Sequence, residues 1–96
     1  MASLGAAADT MLEIIKKIAA NGQTMERDVR SRAIEHIGYN PMMDIMSIRF
    51  KGKNAYPTYE YPDVPTELVA RFTAARSKGK FYHRHIKNQY GEGGYP

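Results

Sequence analysis

The 96-residue chain contains no cysteine and no tryptophan. The absence of cysteine excludes disulfides, thiolate nucleophiles and cysteine metal ligands, so a chain of this length must be stabilised by packing alone or by a partner. The sequence also lacks a run of about eighteen apolar residues, so no segment is expected to cross a membrane as a helix. This length allows one domain with one hydrophobic core.

Charged residues interrupt the apolar N-terminal segment. Asp9 and Glu13 lie within it, and Lys16 and Lys17 follow its first part. This is the reverse of the charge order in a signal peptide, where the basic residues come first. We therefore expect a cytoplasmic protein.

Acidic residues are missing between Arg71 and Tyr90. The same segment holds six cationic residues, in a chain whose formal net charge is +4: Arg71, Arg76, Lys78, Lys80, Arg84 and Lys87. Cations interleaved with aromatic rings are typical of surfaces that neutralise phosphates and stack on bases. The candidate nucleic-acid contacts are Tyr82 for stacking and, for phosphates, Arg76, Lys78, Lys80, Arg84 and Lys87. A solvated basic face is the alternative interpretation.

No constellation of residues in the sequence indicates catalysis. The serines lack a histidine and a carboxylate at a catalytic spacing, and the acidic residues are scattered. His83 and His85 would diverge by about 200° on a helix, and with His36 they lack a nearby acidic partner, so no metal site is expected. We predict neither enzyme activity nor a cofactor.

Apolar residues recur at three- and four-residue intervals from Thr10 to Ala20, which predicts a helix capped by Asp9 and ended by Gly22. Since a solvated helix rarely exposes so many large apolar residues, the stripe either packs on the domain or docks to another chain. The candidate partner-binding residues are Met11, Ile14, Ile15 and Ile18. The polar segment 23–31 that follows is expected to be a linker or a short solvated turn of helix.

Three consecutive strands are expected between residues 31 and 61. In the first, Ile37 and Tyr39 alternate as in a strand, while Ile34 has the opposite parity, which indicates a bulge near Gly38. Short turns separate each strand from the next, so the strands form an antiparallel meander.

The second and third strands each have one apolar face. Met46, Ile48 and Phe50 share a face of the second strand, and Tyr59 and Tyr61 share a face of the third. The two tyrosines either fill a core beneath a helix or form a platform for bases. We expect core, because a small sheet has few other large residues to fill the space under its helix.

Two helices are predicted after the sheet. Pro65 is favourable at the start of the first helix, whose apolar face includes Val69 and Phe72. Gly79 is expected to end this helix rather than to form a phosphate-binding loop. A second short helix follows over FYHRHIKNQY. The predicted fold is therefore α+β: a three-stranded antiparallel meander followed by two helices, with an extra N-terminal helix.

Several short motifs and single residues between positions 37 and 90 form a recognisable combination. They are Ile37-Gly38-Tyr39-Asn40, Phe50 with Gly52, Tyr59-Glu60-Tyr61, Val64-Pro65, Ala75, Ser77, Gly79, Phe81, Ile86-Lys87 and Tyr90. In this combination they resemble the KTSC domain, a family named from the C-termini of some lysyl-tRNA synthetases and also found as stand-alone bacterial and phage proteins. With this resemblance the chain divides into an N-terminal helix and linker (1–30), a KTSC-like domain (31–90) and a flexible tail (91–96). Residues 54–57 look like an insertion relative to the family.

The attachment of KTSC domains to synthetases implies RNA binding, by association alone. Our first hypothesis is a small non-enzymatic module that binds nucleic acid, RNA more than DNA, through its basic C-terminal helical surface. The alternative is a phage-encoded interaction component, an assembly factor or an inhibitor of a larger machine. Such a component would dock its N-terminal helix on a partner or its basic surface on an acidic protein. Either protein would act in the cytoplasm of a bacterium or of a phage-infected host.

Overall fold

The computed structural model describes residues 4–52 and 58–90. Its regular elements are α1 (Ala6–Ala20), β1 (Met25–Asp28), β2 (Ile34–Asn40), β3 (Ile45–Phe50), β4 (Tyr59–Tyr61), α2 (Thr66–Ala74) and α3 (Lys78–His85). The strands form one antiparallel sheet in the order β1-β2-β3-β4. The α+β class, the meander from β2 to β4, the two helices after it and the N-terminal helix are thus confirmed.

Some predicted features lie wholly or partly outside the described residues. They are the second turn at 51–54, the insertion-like residues 54–57 and the tail 91–96. Within the described ranges, no helix has the length and apolarity that would let it span a bilayer.

Strand β1 lies in the segment predicted as a linker or a turn of helix, so that prediction is wrong for these residues. It pairs with β2, with Met25 opposite Tyr39 and Asp28 opposite His36, so the sheet has four strands in the described residues instead of three. Met25 is buried and the next three side chains are exposed. The sequence therefore shows no apolar alternation here, and the strand depends on backbone pairing at the edge of the sheet.

His36 connects β2 to β1 through both of its ring nitrogens. Its Nδ1 lies 2.8 Å from Asp28 Oδ1, and its Nε2 lies 2.8 Å from Glu26 Oε1. Both nitrogens donate only when the imidazole is protonated. The hydrogen bond with Asp28 is the largest cause that raises the pKa of His36; burial opposes it, and the bond with Glu26 and the charges of both carboxylates add to it.

Helix α1 begins at Ala6, earlier than the predicted start at Thr10. Asp9 is not its N-cap but lies in the first turn, where its Oδ1 accepts a hydrogen bond from the Leu4 N–H at 3.1 Å. The helix ends at Ala20, and Gly22, the predicted C-terminal glycine, closes a Schellman motif with a φ of 69°. The early start reflects three alanines with high helix propensity but too little apolar surface to show in the periodicity.

The apolar stripe of α1 packs on its own domain, against α2. Met11 is 5% exposed and Ile15 is 0% exposed, whereas Ile18 is half-buried against the same core and Ile14 is 39% exposed. Of the two alternatives for this stripe, the structure shows packing on the domain. Met11 and Ile15 are therefore unavailable to a partner chain while α1 keeps this position.

The bulge in β2 lies at Glu35, not near Gly38 as predicted. The pairing with β3 shifts register between Ile34 and His36, so Glu35 is the extra residue. This shift lets Ile34 and Ile37 both point into the core, where each is fully buried. The opposite parity of these isoleucines indicated that a bulge exists, but not its position.

The tyrosine pair of β4 contributes to the core, as predicted. Tyr61 is buried, and Tyr59 is half-buried with its ring edge-on to Phe50 at a centroid distance of 5.8 Å. Tyr39 of β2 is buried as well, and its hydroxyl donates to Val64 O at 2.6 Å. This hydrogen bond joins the sheet to the segment that leads into α2.

Adjacent isoleucines on α1 provide a matched test of the role of this helix. We expect Ile15→Ala to lower the free energy of unfolding by about 2–5 kcal/mol, because it leaves a cavity in the core. Ile14→Ala should change it by less than about 1 kcal/mol, because that side chain is partly solvated. Urea denaturation followed by circular dichroism measures both values. Equal losses would contradict the packing described for α1.

The contact of His36 with two carboxylates predicts a pH-dependent stability. Because the folded-state pKa is raised, the imidazolium stabilises the fold fully below the unfolded pKa of about 6.5, and this contribution is lost as the pH rises through the folded pKa. Relative to His36→Gln, the wild-type protein should be more stable by up to about 1 kcal/mol near pH 5, with the difference shrinking toward pH 8. Urea denaturation of both proteins across this range measures it. A difference that stays constant with pH would show that protonation of His36 does not stabilise the fold.

Candidate nucleic-acid interface

The junction between α2 and α3 positions most of the cationic residues predicted from the sequence. Helix α2 ends where Ala75 turns to extended backbone, with φ −65° and ψ 139°. Helix α3 begins at Lys78, and Ser77 caps it by accepting a hydrogen bond from the Lys80 N–H at 3.4 Å. Gly79 therefore lies in the first turn of α3 and does not end α2, which corrects the prediction.

The connection between β1 and β2 lies beside this junction and is held by local hydrogen bonds. Ser31 Oγ accepts from the N–H groups of Ala33 and Ile34, each at 3.2 Å. Lys51 follows β3 and donates twice, from Nζ to Ser31 O at 2.6 Å and from its backbone N–H to Ala33 O at 2.8 Å. These bonds fix the backbone on either side of Arg32.

Together the two segments enclose a shallow groove of about 430 Å³. We call it the basic groove, and its lining residues are Arg30, Ser31, Arg32, Ala33, Arg76, Ser77, Lys78 and Gly79. Four of these eight residues are cationic, and none is a carboxylate. Arginines that are more than forty positions apart in the sequence thus converge at one site.

Within residues 4–52 and 58–90, no carboxylate forms a salt bridge with the cations of the basic groove. In the described part of the chain, the salt bridges join Lys16 to Glu13 and His36 to two carboxylates of β1, and none involves a groove residue. Lys78 is half-buried, and its Nζ donates to Ala75 O at 2.8 Å. Burial lowers the pKa of Lys78, and the positive charge of Arg27 lowers it further. The groove is therefore a site of concentrated, incompletely compensated positive charge.

The alternation of β1 explains why the acids of this strand stay away from the groove. Glu26 and Asp28 share the face that carries His36, whereas Arg27 shares the opposite face with the buried Met25. Both carboxylates therefore bind His36, while the positive charge of Arg27 lowers the pKa of Lys78. One short strand thus separates its negative from its positive side chains.

Lys80 and Arg84 extend the positive surface along α3. They line a second hollow with His83, and this hollow shares Ser77 and Gly79 with the basic groove. The two cations are one helical turn apart, so they lie on the same face of α3. Lys87, also predicted as a phosphate contact, is exposed after the end of α3 and lines neither hollow.

The comparison with known families covers both sides of the basic groove. A family model for the KTSC domain matches residues 30–90. The chain belongs to the KTSC domain family. The match begins at Arg30, so the groove lies within the family's range, while α1 and β1 precede it.

Two individual proteins resemble this KTSC domain over most of their own length. A protein from Tsukamurella paurometabola is 39% identical over 62 residues, which is 65% of this chain and 88% of that protein. The crystal structure of a KTSC domain protein from Yersinia pestis is similar with a TM-score of 0.64 and 32% identity, over 71% of this chain and 92% of that one. The family predicted from the motifs is thus confirmed.

Tyr82, predicted as a stacking residue, is engaged in packing instead. Its hydroxyl lies 3.0 Å from the Tyr61 hydroxyl, and its ring meets those of Phe50 and Tyr61 edge-to-face at centroid distances of 5.1 and 6.1 Å. The residue is half-buried against the core. Because its ring packs against the aromatic residues beside α3, it is not available to stack on a base in this structure.

The sequence did not identify Arg30 and Arg32 as lining residues of the basic groove. Both lie in or beside the segment predicted to be a linker, at the predicted N-terminal boundary of the KTSC-like domain. The signal was present as three arginines within six residues, Arg27, Arg30 and Arg32, in RDVRSR. These arginines become part of a basic groove only because the fold places the connection between β1 and β2 beside the α2–α3 junction.

The three histidines lie in different settings. His36 bonds to carboxylates of β1, His83 is exposed beside Lys80, and the ring of His85 packs against Phe81 at a centroid distance of 4.5 Å. Among residues 4–52 and 58–90, no group of three histidine, aspartate or glutamate side chains is placed to hold a metal ion.

The contact between the two tyrosine hydroxyls can be tested by its effect on stability. We expect Tyr82→Phe to lower the free energy of unfolding by about 1 kcal/mol, because the hydrogen bond between the two hydroxyls is lost beside the core. Tyr61→Phe should act in the same direction, and the double variant should be destabilised by less than the sum of the single effects. Urea denaturation of the four proteins completes the cycle. Strictly additive effects would show that the hydroxyls do not interact.

Proposed function

We propose that this KTSC domain protein is a non-enzymatic module that binds nucleic acid through the basic groove and the adjoining residues Lys80 and Arg84. The observation that carries the proposal is the convergence of two cationic segments, 30–33 and 76–79, on a site whose described lining residues include no carboxylate. RNA is proposed before DNA because the family takes its name from the C-termini of synthetases that act on RNA, which is an argument by association.

The chemistry of the lining residues supports a phosphate ligand. The guanidinium group presents a planar fork of donors that matches two phosphate oxygens, and three of the cationic lining residues are arginines. Each cation that neutralises a phosphate releases counterions condensed on the nucleic acid, and this release favours binding at low salt. The Ser31 and Ser77 hydroxyls already accept backbone hydrogen bonds, which gives the groove a defined shape before a ligand arrives.

An acidic protein surface is the alternative ligand for the same groove. Docking through the N-terminal helix receives less support, because Met11 and Ile15 are core residues and Ile14 is the most exposed large side chain of the stripe. An Ile14→Asp variant, which changes a surface position, would abolish an assembly that uses this helix without removing core packing.

Charge reversal at Lys80 and Arg84 tests the proposed function. The double variant Lys80→Glu, Arg84→Glu should bind a fluorescein-labelled RNA hairpin at least about tenfold more weakly, because it replaces two cations with carboxylates that repel phosphate. The slope of log affinity against log salt concentration should become shallower by roughly 0.7–0.9 for each phosphate that the variant no longer neutralises. Fluorescence anisotropy at several salt concentrations measures both quantities.

The matched control is the double variant Lys16→Glu, Lys17→Glu. It changes the net charge by the same amount, but it does so on α1, which contributes no residue to the groove. It should retain most of the affinity, and circular dichroism should show both variants folded. Equal weakening in the two variants would mean that binding reflects net charge alone and that the groove is not the site.

A further inference from the structure

The phenylalanine and tyrosine side chains of residues 4–52 and 58–90 pack in or against the core. Tyr39, Tyr61 and Phe72 are buried, and the other aromatic residues of the described ranges are half-buried and packed against the core: Phe50, Tyr59, Phe81, Tyr82 and Tyr90. Among residues 4–52 and 58–90, therefore, no phenylalanine or tyrosine is an exposed ring. The exposed ring beside the cationic side chains is the imidazole of His83.

This burial matters because single strands and duplexes are bound by different chemistry. Proteins that bind single strands combine a basic channel with aromatic rings on which the unpaired bases stack. A duplex stacks its own bases inside and presents a regular array of phosphates, so cations alone can bind it. A groove lined with arginine and lysine but without phenylalanine or tyrosine fits the second kind of ligand.

The composition of the two linings favours contact with the phosphate backbone of the nucleic acid over contact with its bases. Among the described residues, no asparagine, glutamine, aspartate or glutamate lines the basic groove or the hollow beside Lys80, so these linings lack the side chains that form bidentate pairs with adenine or accept from cytosine. The small residues Ala33 and Gly79 add neither a charge nor a ring to the lining.

We infer that the preferred ligand of the basic groove is double-helical nucleic acid, contacted through its phosphates and without base stacking. This inference rests on the proposed function and narrows it to one class of ligand. RNA and DNA duplexes share the phosphate chemistry, and their different groove shapes allow the experiment to separate them. His83 lies at the rim and contributes little to affinity for a duplex.

The experiment compares three fluorescein-labelled probes by anisotropy at one salt concentration. They are an RNA duplex of about 16 base pairs, the length that a known duplex-binding domain spans, a DNA duplex of the same sequence, and a poly(U) strand with the same number of phosphates. At least one duplex should bind about tenfold more tightly than poly(U), because the single strand gains no stacking on the protein. The tighter of the two duplexes identifies the helical form that the groove prefers.

Variants on both sides of the groove show whether the duplex binds there. Arg32→Gln and Arg76→Gln should each weaken duplex binding, whereas the matched control Arg49→Gln, on the exposed face of β3, should not. His83→Ala should leave duplex binding unchanged within about twofold, since a stacked ring would have contributed more.

The outcomes separate this inference from the proposed function. If poly(U) binds as tightly as the duplexes or more tightly, or if His83→Ala removes most of the affinity, the inference is overturned while nucleic-acid binding stands. If none of the probes binds at low salt, both proposals fail and an acidic protein becomes the candidate ligand of the groove. If a duplex binds best and both groove variants weaken it, both proposals are supported.

Discussion

The burial of side chains between the sheet and its helices determines the position of almost every other feature of this protein. With no cysteine in the chain, one apolar core has to hold all the elements together. Ile15 of α1, Ile37 and Ile48 of the sheet and Phe72 of α2 each bury their whole side chain in that core. Because α2 and the following turn are fixed by this packing, the start of α3 is fixed as well, and with it one side of the basic groove.

The other side of the groove depends on the edge of the sheet. Strand β1 buries one side chain, so its position comes from backbone pairing with β2 and from the contacts of Glu26 and Asp28 with His36. These contacts also remove the two carboxylates from the surface that carries the arginines. The same alternation that gives the strand two faces therefore places these carboxylates on the face opposite Arg27.

The KTSC family match covers the residues that line the basic groove. Both lining segments fall within residues 30–90, while α1 adds core side chains from outside that range. The helix thus acts as a stabilising addition in this structure. It covers part of the core with Met11 and Ile15 and leaves Ile14 to solvent.

The sequence alone determined the elements whose signals are local. Three- and four-residue spacing identified α1, the alternation of Met46 and Ile48 identified β3, and the motifs around Tyr39 and Tyr59-Glu60-Tyr61 identified the family. The cations between Arg76 and Lys87 were also visible, since a charge run needs no fold to be recognised. Tertiary structure decided which groups these residues contact. Strand β1 forms by backbone pairing with β2, and Tyr82 packs inward against Phe50 and Tyr61. Arg30 and Arg32 lie beside Arg76 and Lys78 because the fold brings two distant segments together. Such contacts join residues far apart in the chain, and no local pattern encodes which of them will meet.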